Sequence, residues 1–179
     1  MLLSMLGLLF WQEPSSLFQI QFELKIFQAD RRLSAQLVLS KAADDHFSIH
    51  CRKAPSGTLF TFWAQPTENT LALPKEKLAF VGAADERVVL FPEGPALTRA
   101  EWLALLEFGT WPDAPVGDWR FEKNDQTFSL RHAKQEWAIE WRVRKRRYKN
   151  KFSQRILTPS LGERYQTKPL AEVVHYWQQ

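Results

Sequence analysis

Two histidines, His46 and His50, stand four residues apart, the spacing that turns both imidazoles toward one metal ion when they share a helical face. The surrounding residues alternate with period two, and on an extended strand the pair would be ~13 Å apart with Cys51 on the opposite face. No metal site is therefore expected. Cys51 shares its parity with Phe47 and Ile49, so it reads as a small buried apolar group rather than a nucleophile. The paired carboxylates Asp44-Asp45 and Asp85-Glu86 fall in turn-forming sequence, where solvation accounts for them. There is no Gly-x-Ser-x-Gly, phosphate-cradling glycine loop, dinucleotide fingerprint, His-Glu-x-x-His or EF-hand pattern. No catalytic residue, metal or cofactor is assigned, and the chain is not expected to be an enzyme.

The sharpest polar signal is a run of like charge. Residues 142–155 hold Arg142, Arg144, Lys145, Arg146, Arg147, Lys149, Lys151 and Arg155 with no acid among them. The whole chain carries a formal +4, yet outside this run 16 basic residues face 20 acidic ones, a net of −4. Any anionic partner is therefore met at one place. With Tyr148 and Phe152 interleaved, the run can hold nucleic acid through phosphates and base stacking. It can equally lie on anionic lipid headgroups or on an anionic or carrier partner protein. A third reading is a solvated strand edge that resists sheet-to-sheet pairing. The lipid or protein partner ranks ahead of nucleic acid, and a monomer is expected.

These residues sit in a chain of 179, 45% apolar and 13% aromatic, enough for one substantial core and short for two. The single cysteine excludes an internal disulfide framework. Residues 1–16 open with the apolar run MLLSMLGLLFW, too short for the ~20 residues a spanning helix needs. A signal-like segment and an apolar terminal helix both fit it. Residues 17–179 read as one domain.

The elements follow from periodicity. Phe18, Ile20, Phe22, Leu24 and Ile26 alternate with polar neighbours, and Leu33, Ala35, Leu37 and Leu39 do so again after a turn at Asp30-Arg31-Arg32, predicting a long hairpin. Five shorter strands follow by residue 91, bounded by Gly, Pro, Asp or Asn, and short connections favour an antiparallel meander. Thr98-Arg99-Ala100-Glu101 is a capping box; behind it Trp102, Leu105 and Leu106 fall at helical spacing, with Gly109 and Pro112 as a stop. Alternation resumes at Trp119 and Phe121, at Phe128 and Leu130, and at Trp137, Ile139, Trp141 and Val143. A return strand over 152–157 would make the basic run a hairpin tip. Leu170, Val173, Val174 and Trp177 predict a short closing helix.

The expected fold is thus mainly β: a strongly curved antiparallel sheet or half-barrel of about eleven strands, with an embedded amphipathic helix and a short C-terminal one. By parity, its concave face carries Phe22, Leu24, Leu37, Leu39, Phe47, Ile49, Phe60 and Phe62. Trp102, Leu105 and Leu106 of the helix, with Trp137, Ile139 and Trp141, complete it. Such a face either fills as a core or leaves a concavity suited to acyl chains.

This order of elements resembles the bacterial lipoprotein carrier and acceptor family, the LolA/LolB-like fold. The likeness runs from the hairpin over 18–40, through short strands to Phe91 and the helix over 98–108 with Gly109 and Pro112, to hairpins ending at Leu157. The resemblance implies an eleven-stranded half-barrel plugged by helices, facing the periplasm or outer membrane, that shields lipid or lipoprotein acyl chains without catalysis. An acceptor of that family carries a lipidated cysteine near its amino terminus and an exposed leucine between its third and fourth strands. Here the one cysteine is Cys51, and residues 52–58 read RKAPSGT. No functional residue carries over one by one, so the cavity assignment rests on parity.

Overall fold

The computed structural model describes residues 17–29, 31–114, 116–149 and 153–178, so the apolar segment 1–16, Asp30 of the first turn, Lys151 and Phe152 lie outside the described residues. The chain begins with six strands in succession: β1 (Leu17–Gln28), β2 (Arg31–Ala43), β3 (His46–Lys53), β4 (Gly57–Ala64), β5 (Glu68–Leu73) and β6 (Leu78–Ala83). A small pair, β7 (Val88–Val89) and β8 (Ala96–Leu97), leads into helix α1 (Arg99–Phe108). Three strands return, β9 (Trp119–Asn124), β10 (Thr127–His132) and β11 (Trp137–Lys149). The tail holds α2 (Gln154–Leu157), β12 (Gln166–Pro169), a 3-10 turn (Leu170–Glu172) and α3 (Val173–Trp177).

Ten strands form one sheet in the order β12-β6-β5-β4-β3-β2-β1-β11-β10-β9, whose edge strands do not meet. It is an open half-barrel, mainly β, with α1 against its inner face and a short helix at the C-terminus. β1 binds its long neighbours on both sides, Leu24 facing Ala35 of β2 and Trp141 of β11. Strand parity then decides the core: Ile20, Phe22, Leu24, Leu37, Leu39, Phe47, Ile49 and Phe62 point inward and are at most 2% exposed. Extra residues at Arg144 of β11, opposite Gln21/Phe22, and at Leu59 of β4, opposite Cys51/Arg52, add the local twist that bends these strands around the helix.

α1 forms because both ends are capped in the sequence. Thr98 accepts from the Glu101 amide at 3.3 Å, while Glu101 Oε2 accepts from the Thr98 amide at 2.7 Å. At the other end Gly109 (φ +64°) sends its amide to the Leu105 carbonyl at 3.0 Å. Only glycine fits there, because a Cβ would stand 2.1 Å from Cε1 of Phe128. Trp102, Leu105 and Leu106 are buried against the sheet, each large side chain contributing about 1.5–3 kcal/mol. The Trp102 indole also donates to the Val88 carbonyl at 3.0 Å, tying the helix to β7.

Two expectations are corrected. The sheet is not wholly antiparallel, since β12 joins β6 in parallel at one edge. Among the described residues there are twelve strands, close to the eleven or so expected, with β8 and β12 unforeseen and no strand at 154–157. Among the described residues no return strand follows the basic run: Gln154–Leu157 is a helical turn, and β11 pairs with β1 and β10 instead. Its main-chain groups are taken by β1, far away in sequence, and by its hairpin neighbour β10, while α2 lies across the outer face of the sheet. There Trp63 of β4 donates to the Ile156 carbonyl at 3.1 Å. This crossing explains why the outward-facing Ser48, Thr61 and Trp63 are buried.

Candidate functional site

The inward columns of β1, β2, β3, β4 and β5 run past the end of α1, and there the half-barrel is not filled. A cavity of about 610 Å³ remains, within the ~300–1,000 Å³ range of small-molecule sites. Its sheet wall is made by Ile26, Leu33, Cys51, Leu59, Phe60 and Leu73. Leu90, Phe91 and Pro92, in the loop after β7, cover it together with Trp177 of α3. Trp177 is held in place by its own indole, which donates to the Val89 carbonyl at 2.9 Å. Phe91 separates cavity from core, meeting Phe60 edge-on at 5.4 Å and Trp102 at 6.0 Å between ring centroids.

Among the described residues that line the cavity, no nucleophile stands beside a base. Cys51 is its one thiol, and burial pushes that group up to about 12, so it stays neutral and a poor nucleophile at physiological pH. Among the described residues no histidine lines it, and the one carboxylate is Glu76 at the rim. What it offers is apolar surface, with Gln28, Arg31, Arg32 and Lys53 at the mouth.

Of the fourteen residues assigned to a concave face from the sequence, Phe60 and Trp137 line this cavity. Phe22, Leu24, Leu37, Leu39, Phe47, Ile49 and Phe62 are packed in the core with Trp102, Leu105, Leu106, Ile139 and Trp141. The mouth residues were missed, although their signal is present. Gln28 and Arg31 pair across the first hairpin on the inward parity of Ile26 and Leu33. Lys53 continues the inward column of Ile49 and Cys51. A polar residue where an apolar column ends marks an opening.

The basic run lies at the other end of the sheet. Nine residues of β1 separate the register positions of Gln28 and Gln19, which face Trp137 and Arg147, a span of ~30 Å at strand rise. A headgroup at the cavity mouth therefore cannot reach Arg147, and even Arg142, which faces Glu23 five residues from Gln28, is ~17 Å away. Part of that run serves the fold. Arg144 is ion-paired with Glu23, whose carboxyl it holds below the usual carboxylate range. Arg146 donates to the Glu107 carbonyl at 3.0 Å and Lys123 to the Phe108 carbonyl at 2.9 Å. Lys41 pairs with the Glu107 carboxylate at 2.7 Å. Together these cations meet the negative end of the α1 dipole. Arg142, Lys145, Arg147 and Arg155 are exposed, the last on α2, and Tyr148 is 83% exposed. Lys149 is half-buried at the end of β11, facing Leu17 of β1.

His46 and His50 stand on β3 facing Ala43 and Val38, and among the described residues no group of three or more histidines, cysteines or carboxylates could hold a metal. His50 lies under the crossing chain, its Nδ1 3.1 Å from the Thr61 hydroxyl, and burial lowers its pKa. Among the described residues no helix is long and apolar enough to cross a membrane.

The fold and site thus define an open β half-barrel with a helix in its concavity and an apolar cavity at one end. Neither a protein-family model nor a curated protein matches the chain. Among solved structures, it is similar to the crystal structure of a LolA superfamily protein from Nitrosomonas europaea, at 8% identity, with 82% of this chain and 91% of that one covered and a TM-score of 0.47.

Proposed function

We propose that the protein binds the acyl chain of a lipid or lipoprotein in the cavity at the open end of the half-barrel, without catalysis, as a carrier or acceptor in envelope lipoprotein trafficking. The observation that carries this is the cavity itself: about 610 Å³ of mainly apolar space, with no nucleophile poised beside a base. At about 30 Å³ per small group, the liquid volume of a water molecule, there is room for roughly 20 chain atoms. The compartment this function implies is the periplasm. The basic end, ~30 Å away along β1, is then free to dock on an anionic membrane surface while the cavity holds its load.

The test is binding of a fluorescent fatty acid, with native mass spectrometry after gentle extraction. Leu33 is half-buried on the cavity wall, so Leu33→Trp fills the space from its edge. The wild type should take up the probe and the variant should lose it with its melting temperature retained. Recovery of unliganded wild type alone, with no probe bound, overturns the proposal.

A further inference from the structure

The cavity mouth is not neutral. We infer that its ligand is a single-chain amphiphile with an anionic oxygen head, a carboxylate or phosphate, held between Arg31, Lys53 and the indole N–H of Trp137. This rests on the acyl-chain reading of the cavity and names the chemistry at the other end of the chain.

Three observations converge on it. First, among the described residues the mouth gathers Arg31, Arg32 and Lys53 against one acid, Glu76. Arg32 lies over the Phe27 ring at 5.4 Å, whereas Arg31 and Lys53 have no ion pair among the described residues. Second, Arg31 and Lys53 stand on the inward parity of their strands, where Leu33 and Cys51 precede them toward the core. Solubility alone is served as well by outward charges, so two cations turned toward an apolar cavity call for an anion at its opening. Third, Trp137 lines the same cavity, is 6% exposed, and its Nε1–H has no hydrogen-bond partner among the described residues. Trp137 faces Gln28, which in turn faces Arg31, so indole, amide and guanidinium belong to one row across β11, β1 and β2. An acceptor oxygen just inside the mouth meets the cations first, and it satisfies the orphaned donor, itself closed to solvent, once the indole turns toward it.

The volume limits the ligand to one chain. Room for roughly 20 chain atoms suits a fatty acid or a lysophospholipid tail and not three acyl chains side by side.

The experiment is competition against a bound fluorescent fatty acid on the full chain, using palmitate, methyl palmitate, hexadecanol, lysophosphatidic acid and lysophosphatidylcholine. An ionised head hydrogen-bonded by charged donors should give palmitate at least about a tenfold advantage over the alcohol and ester. Lysophosphatidic acid against palmitate separates a phosphate from a carboxylate source, and the zwitterionic lysophosphatidylcholine should compete less well than either preferred anion. Arg31→Gln combined with Lys53→Gln should bring palmitate down to the level of hexadecanol; Arg31→Lys should keep most of the advantage. Equal displacement by palmitate and hexadecanol, or an advantage that survives the double variant, overturns the anionic head and leaves the acyl-chain reading standing. Failure of all five compounds to displace the probe overturns both.

Discussion

Two tryptophans in this fold carry opposite hydrogen-bond accounts, and replacing each by phenylalanine should separate them. Trp102 of α1 is 2% exposed and its indole donates to the Val88 carbonyl at 3.0 Å. Trp137 of β11 is 6% exposed and its indole has no partner among the described residues. Either change removes three ring atoms, worth about 2 kcal/mol at ~0.8 kcal/mol per buried group. For Trp102→Phe the Val88 carbonyl is also orphaned, at about 1–3 kcal/mol, so the loss should reach about 3–5 kcal/mol. For Trp137→Phe the same 1–3 kcal/mol is returned, because an unsatisfied buried donor disappears, and the net change should lie within about 1 kcal/mol of zero.

Urea unfolding at neutral pH measures both, with the slope of the transition checked for two-state behaviour. Ligand supplies the second half of the assay. On the proposed binding, palmitate should raise the unfolding midpoint of the wild type more than that of Trp137→Phe, because the variant would lack a donor to the head oxygen. A loss in Trp137→Phe as large as in Trp102→Phe would refute the reasoning, since the indole of Trp137 would then be satisfied without ligand.

Gly109→Ala should cost about 2–5 kcal/mol, combining left-handed strain of ~1–2 with overpacking against Phe128 of ~1–3, whereas Gly117→Ala, with positive φ and open space around it, should cost the strain alone; paired urea titrations check this. His50 is kept neutral chiefly by burial, so its folded pKa lies below the ordinary 6.5 and the unfolded chain binds the extra proton. Stability should be full above pH 6.5 and fall as pH drops below it, and His50→Gln should flatten that decline in unfolding midpoints measured across the range. On anionic vesicles, Lys145→Gln with Arg147→Gln should weaken binding by about 1 kcal/mol per residue, roughly fivefold each, and the effect should fade with salt. Unchanged vesicle binding would remove the basic end as a membrane contact, and transfer of the salt dependence to single-stranded nucleic acid would favour the other anionic partner.

The elements legible in the sequence are those whose signal is local. The capping box at Thr98 and the left-handed stop at Gly109 delimit α1 without help from the rest of the chain, and alternation in β1 and β2 assigns each side chain to a face. Alternation does not say which strand lies alongside. β11 pairs with β1, more than a hundred residues earlier, and Gln154–Leu157 turns as a helix instead of returning alongside it. β12 was silent for a different reason: all four of its residues are exposed, so no apolar period marks it, and its place follows from the Gln166 amide reaching the Lys77 carbonyl at 2.9 Å.

The site divides along the same line. Parity alone identifies the apolar concave face, but it cannot tell the part that α1 fills from the part left open, because that depends on where along the strands a helix ten residues long comes to rest. A ten-residue helix covers ~15 Å, less than half the ~40 Å of a twelve-residue strand. Length therefore requires that one end of the concavity be closed by something other than α1. At the α1 C-terminus, Lys41, Lys123 and Arg146 close it with polar contacts. At the other end the inward columns finish in Gln28, Arg31 and Lys53, and the space between them and Phe91 stays open. The unequal lengths of strand and helix thus divide the basic residues into two groups with different work: one neutralises the helix end, and the other stands at the entrance where a charged head would rest.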